Sequence, residues 1–213
     1  MSSSMIKAIA ITAMIIDHIG AVLYPEITVL RIIGRIALPL FAWQLSISVD
    51  KTHDVRKLLN RVFIFAVISQ IPYSMLFGYR LNIFFSFTLS LITLILYKQD
   101  RFAGSLSLIL AVILSETLNI EYGWYAIVMV FLFYTCKDDP GKCVLSQIAI
   151  NAAYLLINPG IQPYALLSLL IIGLYNNEKG PLYKYRLAMY SIYPAHMLLL
   201  ILLSNSAPLI SKL

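Results

Sequence analysis

From residue 5 onward, apolar runs follow one another with only short polar interruptions. About 20 apolar residues are needed to cross a bilayer as a helix. On that measure the runs at 5–24, 28–49, 58–77, 81–97, 102–118, 122–136, 143–158, 162–176 and 186–205 read as spans. Those after residue 81 are short, and one of them suits a re-entrant segment. The interruptions alternate in charge. Lys51, Arg56, Lys57 and Arg61 follow the second run, and Lys98 and Arg101 the fourth. Lys137 and Lys142 follow the sixth, and Lys179, Lys184 and Arg186 the eighth. On the opposite side Arg80 is the one clear basic residue, with Lys212 at the tail. Because basic loops stay in the cytoplasm, the pattern predicts an all-α polytopic transmembrane bundle of about nine spans, N-terminus cytoplasmic and C-terminus outside. No linker, repeat or low-complexity tract divides residues 1–213, so a single integral-membrane domain is expected.

Composition agrees. The chain is 60% hydrophobic and 12% charged, with mean hydropathy +0.83, whereas a soluble domain carries about 25% charged residues. The lipid bilayer is therefore its first partner. The net charge of +6 is accounted for by the loop clusters and does not indicate nucleic acid. Asp17 and His18 interrupt the first run, which argues against a cleaved signal peptide. Cys136 and Cys143 flank a basic loop, match no metal motif and read as free thiols; no metal is expected.

Ionisable groups inside spans cost about 2.5–3.5 kcal/mol each on insertion scales and usually face a bundle interior. Lys7 and His18 lie eleven residues apart on the first run, nearly one face at 100° per residue, with Ile11 and Met14 between. The helical rise separates them by roughly 16 Å. Asp17 points about 100° away from His18 and needs a partner on another helix. Arg31 and Arg35, four apart on the second run, share a face, and Arg35 falls at the depth of Asp17. An Asp17–Arg35 pair is expected, either as a helix lock or as part of a site. His18 is of a residue type that can be neutral or charged near pH 7. His196 follows Pro194, which removes a helical hydrogen bond, so it reads as either a pocket residue or a partner for a freed carbonyl. Gln70, Pro72 and Tyr73 form a similar constellation. Asn82, Glu116, Asn119 and Glu121 read as solvated or interfacial, and Trp124 and most tyrosines as interface anchors. The basic stretch holding Lys51, Arg56, Lys57 and Arg61 is a topology signal that would also suit phosphates.

No P-loop, nucleophile elbow or His/Cys cluster is present in the sequence. Imidazoles, a carboxylate and guanidiniums suit proton abstraction and oxyanion stabilisation. They suit a proton-coupled small-molecule transporter equally, or a structural component of an envelope assembly. Periodicity does not choose.

Several segments, in order, resemble the TraX family: KAIAITAMIIDHIG, LRIIGRIALPLFAWQLS, the LNR of the basic loop, SQIPY, LN-x-FF, QPYALL, YNNEKG and YSIYPAHMLLL. Lys7, ten residues and His18 also resemble the basic-x10-His pattern of a wider class of transmembrane acyltransferases. The family is named for a membrane protein that N-acetylates conjugative pilin. The resemblance implies an acetyl-CoA-dependent acetyltransferase in the cytoplasmic (inner) membrane of a bacterium. The acetyl group would pass to an amine or hydroxyl acceptor at the outer face, a pilin-like protein or envelope glycan. It implies catalytic roles for His18, Asp17, Arg35 and His196. Lys7, Arg31, Lys51, Arg56, Lys57 and Arg61 become candidates for binding the acyl donor, and Arg31 or Arg35 for the oxyanion.

Overall fold

The computed structural model describes residues 1–210, without the side chains of 182, 183, 186 and 207–210. Lys212 and the C-terminal end lie outside the described residues, as does the side chain of Arg186. The described chain is all helical: α1 (Ser3–Val22), α2 (Thr28–Gly34), α3 (Ala37–Lys51), α4 (Val55–Phe77), α5 (Ile83–Gln99), α6 (Arg101–Thr117), α7 (Gly123–Thr135) and α8 (Pro140–Ile157). A 3-10 turn, Gln162–Leu167, runs into α9 (Ser168–Gly173). A second, Pro181–Tyr185, leads into α10 (Arg186–Ile210).

Polar residues just before the apolar runs set several of the starts. The side chains of Asp54, Asn82, Asp100 and Asp139 each accept from a backbone N–H of the first turn, at 3.0 Å, which satisfies donors the helix leaves open. The second predicted run is not one helix. Pro39 has no N–H to give the carbonyl of Arg35, so the ladder breaks and α2 ends as α3 begins. The break turns Arg35 inward.

Helix α7 is the central element: Tyr125, Ala126, Ile127, Met129 and Val130 have no exposed surface. It packs on α3, α5, α6 and α8. Around it α1, α4 and α10 close a second group, with α10 against α1 and α4. The outer faces carry aliphatic side chains in the open, such as Ile71, Met75, Ile109, Leu145 and Leu202. Water would not tolerate such a belt, and hydrocarbon would. Five helices are long and apolar enough to cross a membrane: α1, the α2–α3 pair, α4, α8 and α10. Helices α5 and α7 and the Gln162–Gly173 segment are apolar but shorter.

The two ends of the bundle differ in charge. One gathers the N-terminus and the 51–54, 98–101, 136–139 and 174–180 segments. There Asp50 binds Lys98 at 2.9 Å and also Lys137, and the backbone of Ser3 donates to the carbonyl of Glu178 at 2.8 Å. The other end holds 23–27, 78–82 and 118–122. Leu81 and Ile120 form a single bridge there, with Glu121 N donating to the Leu81 carbonyl at 2.8 Å. Gln70 anchors the same end by accepting from Asn82.

Candidate active site

Asp17 lies where α1 and α2 come closest. Gly34 permits the approach: a Cβ there would sit 2.2 Å from the Asp17 carboxylate. Two guanidiniums hold that carboxylate. Arg35 reaches Oδ1 at 2.5 Å and Arg31 reaches Oδ2 at 2.7 Å. Arg31 also donates to the Asp17 carbonyl at 2.8 Å. The Arg35 side chain is buried and satisfied on every nitrogen. Nε donates to the Arg31 carbonyl at 3.1 Å, and the remaining amine donates to Tyr122 Oη and Gln162 Oε1 at 3.0 and 3.2 Å. The chain of bonds continues from Gln162 to Tyr125 at 3.2 Å and from Tyr125 to Asn151 at 2.9 Å. One polar network thus ties α1, α2, α7, α8 and the Gln162 turn together inside the bundle, where it is costly to break.

His18 faces the other way, toward α10. Its Nδ1 lies 2.7 Å from Nε2 of His196, whose own Nδ1 lies 2.9 Å from the Ile192 carbonyl. A carbonyl can only accept. With both rings neutral, His196 must carry its proton on Nδ1, so its Nε2 accepts and His18 Nδ1 donates. That leaves His18 Nε2 without a proton, and no hydrogen bond occupies it among the described residues. Phe77, at 5.1 Å between ring centres, and Tyr193, at 6.2 Å, pack against the His18 ring.

Three cavities lie along the bundle, and the middle one touches this pair at His18. An inner one is walled by Lys7, Ile11, Met14, Gln44, Ser48, Tyr190 and Tyr193, among others. The middle one is lined by Asp17 and His18 and shares Met14, Phe41, Phe87 and Tyr193 with the first. An outer, polar one is lined by Arg31, Arg35, Arg80, Glu116, Trp124 and Asn158, and shares Glu121 and Tyr122 with the middle one. The shared walls put the three in order from Lys7 near the basic end, past His18, to the opposite end.

Glu121 is not the interfacial residue that its place near a span end suggests. It sits half-buried in the 118–122 loop between two cavities, accepting from Ile83 N at 3.1 Å. Burial pushes its carboxyl up to about 7, against the pull of the Ile83 N–H and of Arg35 and Arg80. Asn82 is fully buried, because its amide donates to the Ala66 carbonyl and to Gln70. Nor is Tyr125 an interface anchor: it has no exposed surface and sits in the network. Tyr122 takes a positive φ of 59°, rare for an aromatic residue, and its hydroxyl accepts from Arg35.

The structure brings together Asp17, Arg31 and Arg35, and separately His18 and His196. It does not gather the basic candidates into one patch. Lys7 reaches the inner cavity, and Arg61 stacks near it on Tyr190. Lys51 donates to Tyr175 at 2.6 Å and also to Asn177. Lys57 pairs with Asp54 at 3.4 Å, and Arg56 is exposed. Arg31 stands at the opposite end from these, in the outer cavity.

The family model described as TraX protein matches residues 2–204. The chain belongs to the TraX family. A probable fimbrial assembly protein FimC, serogroup H1, of Dichelobacter nodosus is 25% identical over 93% of this chain and 94% of its own length. An uncharacterized protein RP591 of Rickettsia prowazekii (strain Madrid E) is 45% identical over 73 residues, 34% of this chain and 27% of that protein. No solved structure matches this TraX chain at a significant level.

Proposed function

We propose that this TraX-family protein is a membrane-embedded acetyltransferase, moving an acetyl group from cytoplasmic acetyl-CoA to an amine or hydroxyl at the outer face. One observation carries the reading. The hydrogen-bond order His18–His196–Ile192 leaves Nε2 of His18, a residue that lines the middle cavity, as a proton acceptor. Acyl transfer to an amine or hydroxyl requires a positioned group that takes the attacking atom's proton.

The acceptor nitrogen or oxygen attacks the thioester carbonyl carbon, and His18 Nε2 takes its proton. The tetrahedral oxyanion collapses, the C–S bond breaks, and the leaving thiolate receives that proton. The products are an N- or O-acetyl acceptor and free thiol. Arg35 has all but one of its five N–H groups engaged and positions Asp17. Arg31 binds Asp17 through one amine alone, so its Nε and second amine are the guanidinium donors available for the oxyanion. His196 fixes the His18 tautomer.

Gln44 tests whether the inner cavity suits the donor. Its buried Oε1 has no partner, as an acceptor that awaits a ligand N–H or O–H would. Charge supports the orientation: the basic end belongs in the cytoplasm, and the cytoplasmic membrane of a bacterium is the expected location. The fimbrial relative's name favours a pilin-like protein as acceptor.

The test uses purified protein in nanodiscs with labelled acetyl-CoA and two acceptor fractions, envelope protein and envelope glycan. Covalent label in one fraction is expected. A solute that crosses sealed vesicles unchanged, with no label in either fraction, would replace this reading with a transporter.

A further inference from the structure

Tyr193 belongs neither to the network around Asp17 nor to the hydrogen-bonded histidines. It is 4% exposed, and its buried Oη has no hydrogen-bond partner among the described residues. The Ile83 N–H beside it is a donor, spent on Glu121 at 3.1 Å, and cannot take the phenol's proton. A buried tyrosine hydroxyl usually finds a partner. Phenylalanine would keep the ring packing without an orphaned O–H, so the hydroxyl itself needs a reason. The ring is held in place, with Phe84 at 4.9 Å, His196 at 5.7 Å and His18 at 6.2 Å between ring centres. Tyr193 also walls both the inner and the middle cavity. Of the five described residues common to the two, Met14, Phe41, Ile83 and Phe87 are apolar, and Tyr193 alone has a polar side chain. Arg31, whose spare guanidinium donors are the alternative, lines the outer cavity and neither of these.

In the proposed reaction the thioester comes from the inner cavity and the base stands at the middle one, so the attacked carbonyl belongs at the wall the two share. We propose that Tyr193 is a catalytic residue, its hydroxyl donating to the thioester carbonyl oxygen and to the oxyanion that oxygen becomes. As the acceptor attacks, the C=O electron pair moves onto oxygen and the hydrogen bond from Tyr193 strengthens. The phenol keeps its proton throughout, as phenols do near neutral pH. On collapse the pair returns to the carbonyl, the C–S bond breaks, and the thiolate takes the proton that His18 holds. A donor fixed by its packing before the charge develops costs no reorganisation when it is needed. This assignment rests on the acetyltransferase reading and adds a residue to it.

The test is steady-state transfer from labelled acetyl-CoA by the full chain in nanodiscs, with the envelope fractions as acceptor, for wild type and Tyr193→Phe. The substitution removes an atom that bonds to nothing in the fold, so the thermal midpoint should not fall. The kcat should drop about 10²–10³-fold, the scale of one lost oxyanion donor. The KM for acetyl-CoA should stay near the wild-type value, because the bond is made chiefly in the transition state. A kcat within about tenfold of the wild type's, whatever KM does, overturns the assignment and leaves the acetyltransferase reading in place. No label transferred by the wild type overturns both. Should Tyr193→Phe not fold, Tyr193→3-fluorotyrosine decides. At a pH where it keeps its proton, this more acidic phenol is the stronger donor and should raise kcat; an unchanged or lower kcat overturns the role.

Discussion

At the scale of single residues, two buried clusters on one helix do different work. Asp17 looks toward α2 and is held by two guanidiniums, while His18, the next residue, looks toward α10. Removing one partner from a buried ion pair costs about 3–5 kcal/mol because the other is left uncompensated. Asp17→Ala should therefore destabilise the protein on that scale, seen as a large drop in thermal midpoint in detergent. An unchanged midpoint would show that the pair carries no stability. Gly34→Ala should act on the same cluster through space, pressing a methyl into the Asp17 carboxylate, at about 1–3 kcal/mol; thermal unfolding reads this as well. The Asp17–Arg35 contact was legible in the sequence, since depth and helical spacing put the two charges level. The His18–His196 contact was not. Those residues are 178 positions apart, and nothing in local periodicity says that the first and last spans touch. The network partners Tyr122, Gln162 and Asn151 were invisible for the same reason.

At the scale of elements, the break between α2 and α3 and the 118–122 loop carry the site. An unbroken apolar run hid the break, which depends on Pro39 coinciding with an arginine drawn into the bundle. The loop was misjudged because polar residues near a span end usually meet water. Here a single bridge to Leu81 pins them inward. Glu121 reports on that geometry. Its carboxyl titrates near 7 in the fold and lower when unfolded, so the folded state holds the extra proton between those values. Stability should fall as pH rises from about 4.5 to 7. Glu121→Gln should flatten that slope. Thermal midpoints at pH 5 and pH 8, for wild type and variant, check it; equal slopes would place Glu121 in solvent.

At the scale of the whole molecule, the bundle is an apolar shell around a buried polar network. The sequence carried the shell well: helix order, loop positions and the charge alternation all follow from runs of apolar residues and the placement of lysine and arginine. Orientation has a direct check in a Cys136→Ser, Cys143→Ser background. Tyr79→Cys, at the less basic end and fully exposed, should react with a membrane-impermeant maleimide on intact cells. His53→Cys, at the basic end, should react only after permeabilisation, and the reverse pattern would invert the topology. In the proposed reaction the proton is taken at His18 Nε2, beside the middle cavity. Its decisive check is the rate of labelled acetyl transfer from acetyl-CoA by wild type and His18→Gln, matched for folded yield in nanodiscs. The expected loss is about 10²–10⁴-fold, the usual contribution of a positioned general base. Transfer at the wild-type rate by His18→Gln would contradict it.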